Sequence, residues 1–135
     1  MKRKRTKISA IERKKEVITN LANFGTTLYG QMEDGVFPWI RMPSRSIENI
    51  YYSPELRQYV LGDKAVRRSA RNIRHIRPFT QLVWAAYFAN ELSRQRKTST
   101  LRDVYYSAQA YDMTFKDQAE SNNVITDLET VANFA

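Results

Sequence analysis

Two stretches with helical periodicity, separated by only three polar residues, constrain the fold of this chain more than any other feature. Residues 79–96 carry apolar side chains at the three- and four-residue spacing of a buried helix. Pro78 before them suits the first position of a helix. After the link 97–99, Thr100 and Asp103 fit the capping box that begins a helix. The sequence therefore predicts two helices joined by a tight turn.

A third helix is predicted after Ser121, which we expect to cap it. Its apolar residues form one stripe: Val124, Ile125, Leu128, Val131, Ala132 and Ala135. Three helices with a short link between the first two favour a helix-turn-helix arrangement. The last helix reaches the final residue without a stop signal. We therefore expect the natural protein to continue and this domain to be incomplete at its C-terminal end.

Two adjacent tyrosines in the second helix are predicted to have different roles. One face of that helix carries Leu101, Val104, Tyr105 and Ala108. Tyr106 lies about 140° around the helix axis from Leu101 and one turn after Arg102, at a spacing that lets side chains meet. Tyr105 is therefore predicted to be a core residue, whereas Tyr106 is the tyrosine placed to react.

The first 35 residues predict a basic arm followed by one long helix. Residues 1–8 have almost nothing to bury, so we expect a mobile arm drawn to phosphate or an acidic partner, or else a solubilising tail. From Ser9, apolar residues recur at helical spacing as far as the breakers Gly30 and Gly35. The apolar stripe of this helix, 9–35, is either core or a docking face for another subunit.

β-Branched and aromatic residues in the next part of the chain predict short strands. Residues 37–42 suit an extended segment. Residues 47–52 and 57–61 flank a turn at 53–55, a pattern that predicts a small β-hairpin. Together with the three helices, these strands predict an α+β fold that is mainly helical.

The segment 64–77 contains six lysines or arginines and no acidic residue. A helix would place Arg67, Arg71 and Arg74 on one face, but an extended conformation also fits. Arginine suits the recognition of phosphate, so we predict that Arg67, Arg68, Arg71 and Arg74 bind DNA. The alternative is a basic surface that is merely solvated.

Charge is distributed unevenly along the 135 residues. The net charge is +8, but residues 98–135 contain two basic and six acidic residues, so they carry −4 and the first 97 residues carry +12. A polyanion is attracted to such a basic part because counterions are released when phosphates are neutralised. The distribution favours a nucleic-acid partner that is held mainly by residues 1–97.

Residue usage also excludes several kinds of site. Cysteine is absent and His75 is the only histidine, which excludes disulfides and thiolate catalysis and argues against a histidine-based metal site. The acidic residues are scattered singly, so no metal cluster is predicted. No apolar run reaches the roughly 20 residues of a membrane span, and no signal-peptide core follows the basic N-terminus. We expect a soluble, cytoplasmic protein.

Several short motifs occur together in this chain. The most specific is Thr100-Leu101-Arg102-Asp103-Val104-Tyr105-Tyr106, which contains an Arg-Asp-x-Tyr-Tyr element. The others are Pro43-Ser44-Arg45-Ser46, Asn49-Ile50, Tyr52, Leu61-Gly62-Asp63-Lys64, Arg68-Ser69, Asn72, Arg77, Phe79 and Gln81. In order and spacing, from about residue 9 to the end, they resemble the A subunit of archaeal DNA topoisomerase VI. That type IIB family is related to the eukaryotic meiotic double-strand-break protein.

The resemblance implies a domain organisation and a nucleophile. Residues 36–135 would form a winged-helix domain like that of catabolite activator protein, and the helix over 9–35 would dock the B subunit. In that family the second tyrosine of the pair attacks a DNA phosphodiester, leaving a 5′-phosphotyrosyl link and a 3′-hydroxyl. This role falls on Tyr106. Arg102 is a hypothesised stabiliser of the phenolate or of the phosphate charge.

The resemblance also implies cofactors and partners that lie outside this chain. Mg²⁺ would be held by acidic residues of a C-terminal Toprim domain, and ATP by a B subunit of the GHKL class. The substrate would be double-stranded DNA, and two copies of the A subunit would form a homodimer within an A2B2 complex associated with the nucleoid. No metal ligand is predicted in this chain, so we expect the fragment alone not to cleave DNA.

A second hypothesis is a non-catalytic winged-helix DNA-binding protein, such as a transcription regulator. In such a protein Tyr105 and Tyr106 would merely pack or touch phosphate. The Arg-Asp-x-Tyr-Tyr element favours the topoisomerase. A regulator would also be expected to offer a basic recognition helix, whereas the third helix carries Asp127 and Glu129.

Overall fold

The computed structural model describes residues 10–134, so the predicted arm and the expected cap Ser9 lie outside the described residues. Within them the chain forms α1 (Ala10–Glu33), β1 (Trp39–Pro43), a 3₁₀ turn (Ile47–Asn49), β2 (Ile50–Ser53), β3 (Gln58–Leu61), β4 (Ala65–Ser69), α2 (Ile76–Arg94), α3 (Leu101–Ala110) and α4 (Gln118–Phe134). None of the helices in 10–134 combines the length and apolar character needed to cross a membrane.

Helix α4 lies at the centre of the fold and packs against α1, α2, α3 and β1. Four residues of its predicted stripe are buried, namely Val124, Leu128, Val131 and Ala132. They share one core with apolar side chains of the other helices, among them Phe24, Leu82 and Ala108. The strands complete a mainly helical α+β domain with a winged-helix-like arrangement, which confirms the predicted fold class.

The start of α4 differs from the prediction that Ser121 caps it. The cap is Asp117, whose Oδ1 accepts the Glu120 backbone N–H at 2.8 Å. The Glu120 carboxylate in turn accepts the backbone N–H of Lys116, the residue before the cap, at 3.1 Å. Ser121 is fully buried, and its Oγ has no hydrogen-bond partner among the described residues. Aspartate caps helices as well as serine does. The helix therefore begins after Asp117, four residues before Ser121, and Ser121 is buried in the core instead.

The strands form two antiparallel ribbons. Strands β2 and β3 pair with Ile50 opposite Leu61 and Ser53 opposite Gln58, which confirms the predicted hairpin. Strand β1 pairs with β4, with Trp39 opposite Ser69. The extended alternative for the basic segment is therefore correct over Ala65–Ser69, and the helical alternative is wrong. Pairing with β1 supplies the backbone hydrogen bonds that a helix would otherwise have supplied.

Buried Asn49 links the two ribbons. Its Nδ2 donates to the carbonyls of Ser44 and Lys64 at 2.7 and 3.0 Å, and its Oδ1 accepts the Lys64 backbone N–H at 3.0 Å. A Cβ at Gly62 would lie 2.8 Å from the Asn49 Oδ1. Glycine is therefore required at this position, because any side chain would displace the amide that joins the ribbons.

The predicted helix boundaries are close to the observed ones. Helix α1 continues through the expected breaker Gly30 and ends at Glu33, and Gly35 then adopts a left-handed conformation with φ of 75°. Helix α2 begins two residues before Pro78, so the proline lies in the first turn, where its missing N–H costs no hydrogen bond. It ends at Arg94, two residues earlier than predicted.

One carboxylate joins the β1–β4 ribbon to α4. Oδ1 of Asp127 accepts hydrogen bonds from Nε and Nη2 of Arg45, both at 2.9 Å. Its Oδ2 accepts from Nη1 of Arg68 at 3.0 Å. Asp127 is 8% exposed, so this is a largely desolvated contact in which the carboxylate is neutralised by two guanidinium groups.

We expect Asp127→Asn to lower the free energy of unfolding by about 1–3 kcal/mol, because two partly exposed arginines would lose their counter-ion. Urea denaturation at neutral pH measures the change. The matched control is Glu129→Gln, an exposed carboxylate on the same helix, for which we expect a change within about 0.5 kcal/mol. Equal denaturation midpoints for the two variants would contradict a structural role for Asp127.

Candidate active site

Helix α3 begins where the capping pattern predicts. Thr100 is extended, and its Oγ1 accepts the Asp103 backbone N–H at 3.1 Å. The helix then runs over Leu101–Ala110. Because the cap fixes the first turn, it also fixes which side chains face the core and which face solvent.

The two tyrosines are exposed to different degrees, as the facial argument predicts. Tyr105 is half-buried and packs against the core beside the buried Val104 and Ala108. Tyr106 is 52% exposed. Leu101 departs from the prediction, since it is 48% exposed rather than buried. It lies in the first turn of α3, over a surface cleft instead of the core.

Arg102 lies close to Tyr106, one helical turn before it. The guanidinium carbon is 5.7 Å from the centroid of the Tyr106 ring, within the range of a cation–π contact. Arg102 is exposed and has no ion pair with another residue in 10–134. The rings of Tyr105 and Tyr106 meet edge to face, 5.4 Å between centroids. The Tyr106 ring is thus held between an aromatic neighbour and a cation that remains free to bind an anion.

A surface cleft opens beside Tyr106, and we call it the Tyr106 cleft. It is lined by Leu101, Arg102, Tyr105, Tyr106, Lys116, Asp117, Gln118 and Asn122. Half of these residues belong to α3, and the other half to the start of α4 and the loop before it. Gln118 joins the two helices, since its Nε2 donates to the Leu101 carbonyl at 3.1 Å and to Oδ1 of Asn122 at 2.9 Å.

Sequence reasoning missed the second wall of this cleft, and Lys116 in particular. Lys116 is the only basic residue besides Arg102 between residues 98 and 135, and this isolation in an acidic stretch was the available signal. Nothing local indicates that it lines the same cleft as Tyr106, because its position depends on how the loop between α3 and α4 folds. Gln118 and Asn122 carry no signal in the sequence.

Glu120 holds the loop between α3 and α4 against α2. Its Oε1 accepts hydrogen bonds from Nη2 of Arg77 and Nε2 of Gln81, both at 2.8 Å, besides the backbone N–H of Lys116. Arg77 also donates to the Thr114 carbonyl at 3.3 Å. This network fixes the backbone of the loop that carries Lys116 into the Tyr106 cleft.

The pKa of Glu120 reflects this network. Burial alone raises the pKa of the carboxyl, but the hydrogen bonds from the Lys116 backbone, Gln81 and Arg77, together with the charge of Arg77, outweigh burial and hold it below its ordinary value of 4.5. A lowered folded-state pKa means that the ionised carboxylate stabilises the fold. That contribution is fully present above pH 4.5 and is lost as the pH falls through the folded-state pKa.

We therefore expect Glu120→Gln to destabilise the chain at pH 7 and the difference from the parent to shrink as the pH falls below 4.5. Urea denaturation over a series from pH 7 to pH 3 measures this. Glu55→Gln, which alters an exposed carboxylate at the tip of the hairpin, serves as the control and should leave the pH profile unchanged. A difference between parent and Glu120→Gln that is constant over this series would contradict the assignment.

The four arginines predicted to bind DNA do not line the Tyr106 cleft. Arg67 is exposed, and its guanidinium carbon is 4.1 Å from the centroid of the Trp39 ring. Arg68 is committed to Asp127. Arg71 and Arg74 are exposed in the turns between β4 and α2. The structure therefore does not bring these arginines together with Tyr106.

The residues described here do not form a metal site. Within 10–134, no group of three or more histidine, aspartate or glutamate side chains is placed to hold a metal ion. Asp117 lines the Tyr106 cleft, but its Oδ1 caps α4. This carboxylate chemistry does not fit a resident Mg²⁺ in this part of the chain.

Tyr106 is thus an exposed tyrosine in a cleft that also contains two cations, on a mainly helical domain with a winged-helix-like arrangement. Residues 77–134, which cover nearly all of α2 and the whole of α3 and α4, match the sequence model of a family described as type IIB DNA topoisomerase. The match includes the Tyr106 cleft. No solved structure matches the chain significantly.

Curated relatives extend the similarity over most of the chain. The A subunit of type 2 DNA topoisomerase 6 from Methanothermobacter thermautotrophicus is 37% identical over 119 residues, which are 88% of this chain and 34% of that protein. Its counterpart from Methanosarcina acetivorans is 36% identical over 84% of this chain and 31% of the relative. The counterpart from Pyrococcus abyssi is 32% identical over the same shares.

These matches confirm the family resemblance identified from the motifs, and they do not favour the transcription regulator. The chain belongs to the family of type IIB DNA topoisomerase A subunits. It spans about a third of the length of the curated relatives that it matches.

Proposed function

We propose that this chain is the tyrosine-bearing part of the A subunit of an ATP-dependent type IIB DNA topoisomerase, with Tyr106 as the nucleophile that cleaves double-stranded DNA. The observation that carries the proposal is the exposed Tyr106, set by a capped helix into a cleft that also contains Arg102 and Lys116. The similarity to curated A subunits supports the same interpretation.

The proposed chemistry is a transesterification. The Tyr106 oxygen attacks the phosphorus of a phosphodiester, a new O–P bond forms, and the bond to the 3′ oxygen breaks. The tyrosine hydroxyl gives up its proton, and the leaving 3′ oxygen takes one up to become a hydroxyl. The 5′-phosphotyrosyl link conserves the bond energy, so that the reverse attack by the 3′-hydroxyl religates the strand.

Two cations of this chain have separate roles in that step. A tyrosine hydroxyl in water has a pKa near 10, so the attacking oxygen needs stabilisation as it becomes negative. Arg102, 5.7 Å from the Tyr106 ring centroid, would stabilise the phenolate or the charge on the phosphate. Lys116, on the opposite wall of the cleft, would bind a neighbouring phosphate and position the strand.

The remaining machinery is proposed to lie outside this chain. Mg²⁺ would be held by a Toprim domain of the full-length A subunit, and ATP by a B subunit. The assembly would be a homodimer of A within an A2B2 complex in the cytoplasm, associated with the nucleoid. This chain would contribute a docking helix over 9–35 and a winged-helix domain over 36–135.

An exposed apolar strip on α1 supports the docking proposal. Ile18, Tyr29 and Met32 are all exposed, at 38%, 60% and 54%. At about 100° per residue they lie within roughly 60° of one another around the helix. The buried face of the same helix, with Leu21, Phe24 and Leu28, is directed at the core. The exposed strip is therefore available to a partner protein, as expected of a helix that joins two proteins.

We expect Tyr106→Phe to abolish the covalent link between protein and DNA 5′ ends, because the attacking oxygen is removed. The measurement uses the full-length A subunit with its B partner, Mg²⁺ and a nucleotide, followed by detection of protein bound covalently to 5′ ends. Tyr105→Phe is the matched control and should retain the adduct, since Tyr105 packs against the core. An adduct in Tyr106→Phe that is missing in Tyr105→Phe would reverse the assignment.

Arg102→Ala should slow cleavage by about 10²–10³-fold, the range for removal of a donor that stabilises developing negative charge. Its DNA affinity should change far less, because one phosphate contact contributes little to the whole. Single-turnover cleavage rates and equilibrium binding separate the two effects. Arg96→Ala, an exposed arginine beyond the end of α2, is the control. A normal cleavage rate in Arg102→Ala with normal DNA affinity would show that Arg102 has no part in the step.

A further inference from the structure

The outer face of the β1–β4 ribbon carries an uncompensated pair of arginines. Residues opposite each other in an antiparallel pair project to the same side, and so do alternate residues along a strand. Arg41 lies opposite Arg67, and Trp39 lies opposite Ser69. These four residues therefore form one surface, which we call the ribbon face.

The inner face of the same ribbon is occupied by the fold. Met42 is buried at 2% exposure, and Ile40 packs against the core. Arg68 reaches Asp127 on α4. Side chains alternate between the two sides of β1 and β4. Ile40, Met42 and Arg68 therefore point towards α4 and the core, and the ribbon face points to solvent.

Arg41 and Arg67 do not stabilise the ribbon by themselves. Like charges directly opposite each other on neighbouring strands are destabilising, since their Cβ atoms are only about 5 Å apart. Both side chains are exposed, and neither has an ion pair with a residue in the part of the chain that the structure describes. The guanidinium of Arg67 is instead held over the Trp39 ring, 4.1 Å from its centroid. This contact holds the Arg67 guanidinium against an aromatic ring without neutralising its charge.

We propose that the ribbon face binds the phosphate backbone of double-stranded DNA, at a surface separate from the Tyr106 cleft. The proposal rests on the proposed function for the identity of the polyanion. Two adjacent guanidinium groups without counter-ions are complementary to phosphate, and the first 97 residues carry a net charge of +12. Arg71 and Arg74, in the turns that follow β4, are exposed as well.

The ribbon face and the Tyr106 cleft lie on opposite sides of α4. Gln118 lines the cleft, whereas Asp127, nine residues later, anchors the ribbon through Arg68. Nine residues correspond to about 180° around a helix and about 13 Å along it. The ribbon face points away from α4 as well. It therefore contacts a different stretch of duplex from the phosphate that Tyr106 attacks.

Binding at the ribbon face is independent of base sequence. The only aromatic ring on this face is that of Trp39, and it is covered by the Arg67 guanidinium, so it does not offer a free surface for stacking on a base. The remaining groups are charges that suit phosphate oxygens. Contacts of this kind depend strongly on salt and carry no direct sequence information.

The test compares the 135-residue chain with its Arg41→Gln/Arg67→Gln double variant, using fluorescence anisotropy on a short duplex over 50–200 mM salt. Loss of two phosphate contacts should reduce the slope of log affinity against log salt by about 1.8 and shrink the affinity change over this range roughly tenfold. Arg13→Gln/Arg96→Gln removes the same charge from exposed positions elsewhere and should leave the slope nearly unchanged.

Two outcomes would overturn the proposal. In one, the double variant retains the parent slope, which would mean that the ribbon face binds no DNA and that its partner is an acidic protein surface or none. In the other, both double variants lose equal slope, which would mean that only net charge matters. Adduct formation by the parent protein in the assembled complex separates this result from the proposed function. An absent adduct would count against the proposed function, whereas the salt slope of the double variant tests the ribbon face alone.

Discussion

The carboxylate of Asp127, held between Arg45 and Arg68, is the contact on which the arrangement of this domain depends. The β1–β4 ribbon is two-stranded, and two strands alone are marginal in water. Their attachment to α4 supplies the missing stability and fixes the side of the ribbon that faces the core. The same contact determines which arginines remain available to a partner. Arg68 pairs with Asp127, whereas Arg67, one residue earlier, projects to the opposite face of the ribbon.

Helix α4 also changes the electrostatic picture that composition suggests. Residues 98–135 carry a net charge of −4, which would repel DNA from Tyr106 if every carboxylate were free. Three of these six acids act within the fold instead. Asp117 caps α4, Glu120 binds Arg77 and Gln81, and Asp127 binds two arginines. Although residues 98–135 are acidic overall, the Tyr106 cleft that they form contains Arg102 and Lys116, which can bind an anion.

Most features that depend on neighbours in sequence were predicted correctly, whereas several that depend on distant parts of the chain were not. The cap at Thr100 and the different exposures of Tyr105 and Tyr106 follow from helical periodicity within one turn or two. The choice of strand for Ala65–Ser69 depends on β1, more than twenty residues away. The cap of α4 was assigned to Ser121 because two capping signals compete locally, and burial decides between them. The position of Lys116 in the Tyr106 cleft likewise depends on a tertiary network around Glu120.

Glu120 and Asp127 are two turns apart on α4 and connect it to different layers, one to α2 and the loop beside Tyr106, the other to the ribbon. Helix α4 therefore connects the Tyr106 cleft to both of these layers. The ion pairs Arg68–Asp127 and Arg77–Glu120, at 3.0 and 2.8 Å, hold the ribbon and α2 closely to α4. A displacement of the ribbon or of α2 would accordingly move the Tyr106 cleft with it, so that these parts of residues 10–134 behave as one rigid unit.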